Sequence, residues 1–75
     1  MFSFQANLKT VESVKHFVQA SANMSCDIEI KAGAYLVDGK SIMGIFSLDR
    51  TNPVTILVHG DEATSNALKS AVDGF

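Results

Sequence analysis

The sequence has few of the features that would place it in a specialised class of protein. It contains one cysteine, Cys26, so it cannot build a disulfide framework and must hold together by packing alone. It has no apolar run approaching the roughly 20 residues that cross a bilayer. Residues 1–5 lack the basic start and apolar core of a signal peptide. These absences predict a cytoplasmic protein without a membrane segment.

An excess of charge of one sign is also missing. Six Lys and Arg residues stand against eight Asp and Glu residues, and no basic cluster occurs. Because nucleic-acid-binding domains carry a basic footprint, we expect no nucleic-acid partner. His16, His59 and Cys26 are scattered single residues without the spacing of metal-ligand pairs. The sequence therefore predicts no metal site, and nothing in it indicates a cofactor.

Hydrophobic residues are plentiful by comparison. They make up 47% of the 75 residues, which is typical of a globular chain and not of a disordered one. The length allows one core only, because small domains hide only about 60% of the surface that the unfolded chain exposes. We therefore expect a single domain over residues 1–75.

Four segments have the pattern of β-strands. Residues 2–6 and 27–31 alternate apolar and polar side chains, as half-buried strands do. Residues 34–37 form a short third strand after a turn that contains Gly33. Residues 54–59 are the most β-rich segment of the chain and predict the fourth strand.

Two segments have the period of amphipathic helices. The first helix begins after Thr10, whose hydroxyl can cap the free backbone N–H groups of the first turn. Its predicted apolar stripe contains Val11, Val14, Val18 and Ala22, with Phe17 and Ser21 at the edge. The last helix begins near Asp61, where acidic residues suit the helix dipole. Its predicted apolar stripe contains Ala63, Ala67, Leu68 and Ala71, with Val72 beside them.

Residues 41–48 are short, apolar on most sides and opened by Ser41, a good N-cap. They predict a two-turn helix, although their propensities would also permit a strand. The element order β-α-β-β-α-β-α predicts an α+β fold. This fold is an open-faced β-sandwich, with a four-stranded antiparallel sheet and three helices on one face.

Residues 39–48 resemble the second-helix signature of the HPr family, the histidine-containing phosphocarrier proteins of the phosphoenolpyruvate-dependent sugar phosphotransferase system. Shorter matches occur at Val18-Gln19, Asp27-Ile28, Gly60-Asp61 and Asn66-Ala67-Leu68. The resemblance covers nearly the whole chain from about Phe17 onward. It implies the HPr-like fold.

The first helix departs from the pattern of the HPr family. In the family, the phosphorylated histidine is the N-cap, followed two and three residues later by Arg and Pro. Aligned without gaps, these positions hold Thr10, Glu12 and Ser13. A phosphohistidine site needs an imidazole nucleophile and a positive helix end, and Glu12 inverts the local charge. The chain is thus similar to the catabolite-repression HPr paralogues that lack the histidine, and we expect a binding and regulatory module, not an enzyme.

Ser41 matches the serine that a dedicated kinase phosphorylates in the HPr proteins of some bacteria. A helix N-terminus favours an added phosphate, and the neighbouring Lys40 adds attraction. Ser41 would also serve as a plain, unmodified N-cap, so both interpretations stay open.

The outward residues of the second helix form a docking patch in the HPr family. The patch binds the phosphotransfer enzyme, the serine kinase and a transcription regulator. The candidate partner-binding residues here are Lys40, Ile42, Met43 and Phe46, since exposed apolar patches mark such sites. The alternative is that all the apolar residues of this helix, including Ile45 and Leu48, belong to the core.

Two other functions remain open from the sequence. One is a working phosphocarrier with an atypical acceptor such as His16, although His16 lies well inside the first helix, where the backbone N–H groups are already paired. The other is a diverged structural or oligomerising domain. The sequence does not determine the oligomeric state.

Overall fold

The computed structural model of the protein describes residues 1–72. In chain order its elements are β1 (Phe2–Ala6), α1 (Val11–Ala22), β2 (Asp27–Ala32), β3 (Tyr35–Asp38), α2 (Ile42–Phe46), β4 (Val54–His59) and α3 (Glu62–Val72). This order confirms the predicted fold class. The segment that permitted either a helix or a strand is a helix, but it has five residues and is shorter than predicted. Residues 73–75, the end of the predicted domain, lie outside the described residues.

The strands form one antiparallel sheet with the order β1-β4-β2-β3. The register places Ile28 opposite Val58 and Ile30 opposite Ile56, and all four side chains are buried. The alternate residues of these strands point to the other face. The turn between β2 and β3 contains Gly33, whose φ of 61° lies in the left-handed region that favours glycine.

The buried face of α1 is rotated from the predicted stripe. Val14 is buried as predicted, but Val11 is 51% exposed and Ala22 also lies in solvent. Phe17, predicted at the edge of the stripe, is fully buried, and Ser21 is buried beside it. The Phe17 ring has the largest apolar surface among the side chains of α1, so its burial determines which face of α1 packs on the core.

A similar rotation corrects the prediction for α3. Leu68 and Val72 are buried together with Ser65, whereas Ala63 and Ala67 are exposed. Alanine side chains remove little apolar area from water, so the larger aliphatic side chains determine which face of the helix packs on the sheet.

The core lies between the helices and one face of the sheet. Its buried apolar side chains are Leu8, Val14, Phe17, Ile28, Ile30, Ile45, Leu48, Val54, Ile56, Val58, Leu68 and Val72. Within residues 1–72, none of the helices has the length and apolar character needed to cross a membrane.

Candidate functional site

Thr10 is the N-cap of α1, as predicted. Its backbone is extended, and its Oγ1 accepts a hydrogen bond of 3.0 Å from the backbone N–H of Ser13. The Ser13 hydroxyl in turn donates to the backbone carbonyl of Thr10 at 2.7 Å. The Thr10 hydroxyl is therefore a cap that is engaged in the first turn of the helix.

A basic side chain that the sequence analysis did not select reaches this end of α1. Arg50 Nη1 donates hydrogen bonds to the backbone carbonyls of Leu8, at 2.7 Å, and Lys9, at 3.2 Å. Glu12 is exposed in the first turn of α1. A guanidinium therefore binds the backbone just before Thr10, at the helix end where Glu12 was expected to invert the charge.

His16 is bound to the C-terminal part of α3. Its Nε2 atom lies 2.7 Å from the backbone carbonyl oxygen of Ala71. Because a carbonyl oxygen only accepts hydrogen bonds, Nε2 carries the proton and donates it. This nitrogen therefore cannot attack a phosphoryl group unless the contact between α1 and α3 first breaks.

Ser41 is the N-cap of α2 and is half-buried. Its Oγ accepts a hydrogen bond of 3.2 Å from the backbone N–H of Gly44, and its own N–H donates to the carbonyl of Asp38 at 3.1 Å. The predicted capping role is confirmed. These contacts place the hydroxyl over the free N–H groups that begin the helix.

Lys40 makes two hydrogen bonds, one from its side chain and one from its backbone. Its ammonium Nζ donates a hydrogen bond of 2.8 Å to the carbonyl of Met24, and its backbone N–H donates to the Asp38 carboxylate at 2.9 Å. Neither hydrogen bond is to Ser41, and the attraction of Lys40 to a phosphate on Ser41 stays a prediction. The side chain instead ties α2 to the end of α1.

In the loop that leads into Ser41, both backbone groups of Gly39 are hydrogen-bonded. The N–H of Gly39 donates to the carbonyl of Ile28 at 2.7 Å, and the Ser21 hydroxyl donates to the carbonyl of Gly39 at 2.9 Å. A Cβ atom on Gly39 would lie 2.7 Å from Ile28 Cγ2 and 2.9 Å from Ile28 O. Only glycine therefore fits this close approach of two backbones.

The apolar residues of α2 and the residues just after it divide between the core and the surface. Ile45 has no exposed surface and Leu48 is 8% exposed, whereas Met43 is 76% exposed. Ile42 and Phe46 are half-buried. The alternative that all five belong to the core is wrong. We call Ile42, Met43 and Phe46, the three apolar residues among those predicted to bind a partner, the docking face.

Arg50 connects the docking face with the start of α1. Its Cζ atom lies 5.1 Å from the centroid of the Phe46 ring, within the range of a cation–π contact. The same guanidinium binds the carbonyls of Leu8 and Lys9. A single basic residue in the loop after a helix gives no local sequence signal of where its side chain will reach, so only the folded chain identifies it.

Four of the remaining titratable residues, Asp27, Glu29, Asp38 and His59, line one pocket at the sheet. His59 Nε2 lies 2.6 Å from Glu29 Oε1 on the outward face of the sheet. Hydrogen bonds from Thr64 hold the pKa of the Asp61 carboxyl below its ordinary value. Among residues 1–72, no group of three or more His, Cys, Asp or Glu side chains is placed to hold a metal ion.

Comparisons with known proteins found a matching family model and similar solved structures. Residues 12–73 match the family model described as the PTS HPr component phosphorylation site. The crystal structure of HPr-C-His from Thermoanaerobacter tengcongensis is similar with a TM-score of 0.81 and 26% identity, over 99% of this chain and 93% of that chain. The phosphocarrier protein HPr from Bacillus anthracis str. Ames is similar with a TM-score of 0.71 and 28% identity, over 96% and 90% of the two chains. A comparison with curated protein sequences gave no match.

Proposed function

The chain belongs to the HPr family of the sugar phosphotransferase system, and from that premise we propose that it is a regulatory docking module that does not carry phosphate on histidine. Members of this family are phosphate carriers and not catalysts. The observation that carries the proposal is the exposure of Met43, 76%, two residues after the cap at Ser41. A large apolar side chain left in water beside a modifiable hydroxyl supports a regulated protein contact.

The geometry at α1 supports the first half of the proposal. A phosphohistidine carrier needs an imidazole at a helix N-terminus, where free N–H groups stabilise the phosphoryl group. At the corresponding N-cap this chain has the hydroxyl of Thr10, which already accepts from Ser13 N–H. His16 lies in the second turn of α1, where the backbone N–H groups are already paired within the helix and cannot stabilise a phosphoryl group. A phosphocarrier with His16 as an atypical acceptor is therefore the less favoured function.

The geometry at α2 supports the second half. A phosphate on Ser41 would add about −1.5 to −2 charges beside the free N–H groups of the helix start, where negative charge is favoured. The same charge would lie at the border of the docking face. It would weaken partners that need a neutral apolar contact and strengthen partners that offer Arg or Lys.

The kind of partner follows from the family. Proteins of the phosphotransferase system are the expected class, and we propose the phosphotransfer enzyme, the serine kinase or a transcription regulator as the individual partners. We further propose that residues 1–75 act as one domain in the cytoplasm.

Kinase treatment tests the role of Ser41. The chain is incubated with an HPr serine kinase and ATP, and the phosphorylated residue is mapped by mass spectrometry. We expect one phosphate on the wild type and none on Ser41→Ala. The matched control is Ser47→Ala, since Ser47 is an exposed serine at the other end of the same helix. Labelling of Ser41→Ala, or no labelling of the wild type, contradicts the proposal.

A further inference from the structure

One long side of β3 is open to a further strand. β3 ends the strand order β1-β4-β2-β3 and pairs with β2 alone. The hydrogen bond of 2.7 Å from the Gly39 N–H to the Ile28 carbonyl fixes the alternation of the ladder, so the N–H and carbonyl of Leu36 point away from β2. Within residues 1–72 these two groups have no partner. An unpaired edge of this kind is a template for another strand.

Two common protections of an edge strand are missing from β3. Edge strands often carry a lysine or proline, or are bent by a bulge. β3, Tyr35–Asp38, contains neither residue, and its register with β2 runs without interruption. Tyr35 is 73% exposed and Leu36 is 52% exposed. The edge therefore suits a short extended segment that contributes main-chain hydrogen bonds and apolar side chains.

The Asp38 end of this edge is acidic. Asp27, Glu29 and Asp38 line one pocket together with His59, and no Lys or Arg side chain lines it. Glu29 is paired with His59, whereas the Asp27 carboxylate makes no hydrogen bond or ion pair within residues 1–72. The Asp38 carboxylate accepts from the backbone N–H of Lys40, whose ammonium binds a backbone carbonyl elsewhere. This pocket is therefore complementary to a Lys or Arg side chain of another molecule.

The middle of the edge is apolar. Val37 and Leu48 line a second pocket with Pro53. Because the side chains of a strand alternate between the two faces of a sheet, a residue added opposite Val37 lies on the face of the helices, and the next residue lies beside Leu36 on the open face. Lys31 lies opposite Leu36 on β2, so a basic side chain is favoured beside Asp38 and disfavoured beside Leu36.

We infer that the free edge of β3 binds an extended segment of a protein partner as a fifth strand, with a Lys or Arg side chain opposite Asp38 and apolar side chains opposite Val37 and Leu36. In an antiparallel arrangement the order along the partner is basic, apolar, apolar. Main-chain hydrogen bonds to Leu36 pair the strands, and the acidic pocket sets their register. This surface is separate from the docking face, and the inference does not rest on the proposed regulatory function.

The test titrates the isotope-labelled protein with a capped peptide, Thr-Ser-Lys-Val-Leu-Thr-Ser, and follows the backbone amide signals by NMR. We expect the signals of Leu36 and Asp38 to move and their hydrogen exchange to slow, because both N–H groups face the added strand. Asp38→Asn keeps the acceptor for the Lys40 N–H but removes the charge, and it should weaken binding by about two- to fivefold. The matched control is Glu12→Gln, an exposed acid on α1 that should leave the affinity unchanged.

Proline tests the main-chain pairing from both sides. Leu36→Pro removes an N–H that does not bond to β2, so the fold should persist and binding should weaken by about tenfold or more. A peptide with proline in place of its leucine should bind as weakly to the wild type, which tests the pairing even if Leu36→Pro does not fold.

Three results would overturn the inference. The first is no movement of the Leu36 and Asp38 signals in the wild type, or movement confined to α2. The second is equal affinity of the wild type for the leucine and proline peptides, or equal affinity of Asp38→Asn and the wild type for the leucine peptide. The third is movement of the Leu36 signal with protein concentration in the absence of peptide, which would place a second copy of this chain at the edge.

Discussion

Two single truncations on α2, Ile45→Ala and Met43→Ala, should affect different properties. The first should lower the stability of the fold, and the second should lower the affinity for a partner. Ile45 has no exposed surface, so Ile45→Ala should lower the free energy of unfolding by about 2–5 kcal/mol, from lost transfer free energy and the cavity that remains. Met43 is 76% exposed, which leaves about a quarter of its surface covered. Complete burial of a Met side chain is worth about 1.5–3 kcal/mol, and a quarter of that is about 0.5 kcal/mol. The slightly better helix propensity of alanine offsets part of this loss.

Ile45→Ala should therefore lose stability, whereas Met43→Ala should keep its stability and lose affinity. Urea denaturation should give Met43→Ala a free energy of unfolding within about 0.5 kcal/mol of the wild type. Calorimetry with the general phosphotransfer enzyme should show an affinity loss of about 1–2 kcal/mol for the same variant. If Met43→Ala destabilises the fold as much as Ile45→Ala does, Met43 is a core residue and the reasoning from exposure is refuted. If its affinity is unchanged, the docking face is not the binding surface.

Two further predictions concern the loop before Ser41 and the acidic start of α3. Ser21→Ala removes the buried hydrogen bond to the carbonyl of Gly39 and should cost about 1–3 kcal/mol in denaturant unfolding; an unchanged midpoint would contradict this. Hydrogen bonds from Thr64 hold the pKa of the Asp61 carboxyl below its ordinary value of 3.8. The ionised carboxylate therefore stabilises the fold above pH 3.8, and this contribution is lost as the pH falls through the lowered pKa. The difference in melting temperature between wild type and Asp61→Asn should therefore shrink as the pH falls from about 5 to about 2, and a constant difference would contradict the assignment.

The strands and the helix caps could be predicted from the sequence because they depend on neighbouring residues. The β-rich composition of residues 54–59 predicts β4, and the hydroxyls of Thr10 and Ser41 cap α1 and α2 as expected. The orientation of the helices was harder to predict. A periodic pattern weights Val11 and Phe17 alike, whereas in the fold the larger ring is buried and Val11 is not.

The contacts of the long basic side chains could not be predicted. Lys40 lies beside Ser41 in the sequence but donates to the carbonyl of Met24, and Arg50 reaches Leu8, 42 positions earlier in the chain. Such contacts depend on how two loops approach each other in the fold. The exposure of Met43 was expected only from the resemblance to the HPr family, because apolar residues in a two-turn segment give no clear face.

Phosphotransfer from phosphoenolpyruvate tests the central claim most directly. The chain is incubated with phosphoenolpyruvate and the general phosphotransfer enzyme, with a histidine-bearing HPr as the positive control, and acid-labile phosphate is measured by mass spectrometry. The account predicts phosphate on the control and none on any histidine of this chain. The contradicting result is acid-labile phosphate that disappears in His16→Ala and persists in His59→Ala, which would make the chain a working phosphocarrier.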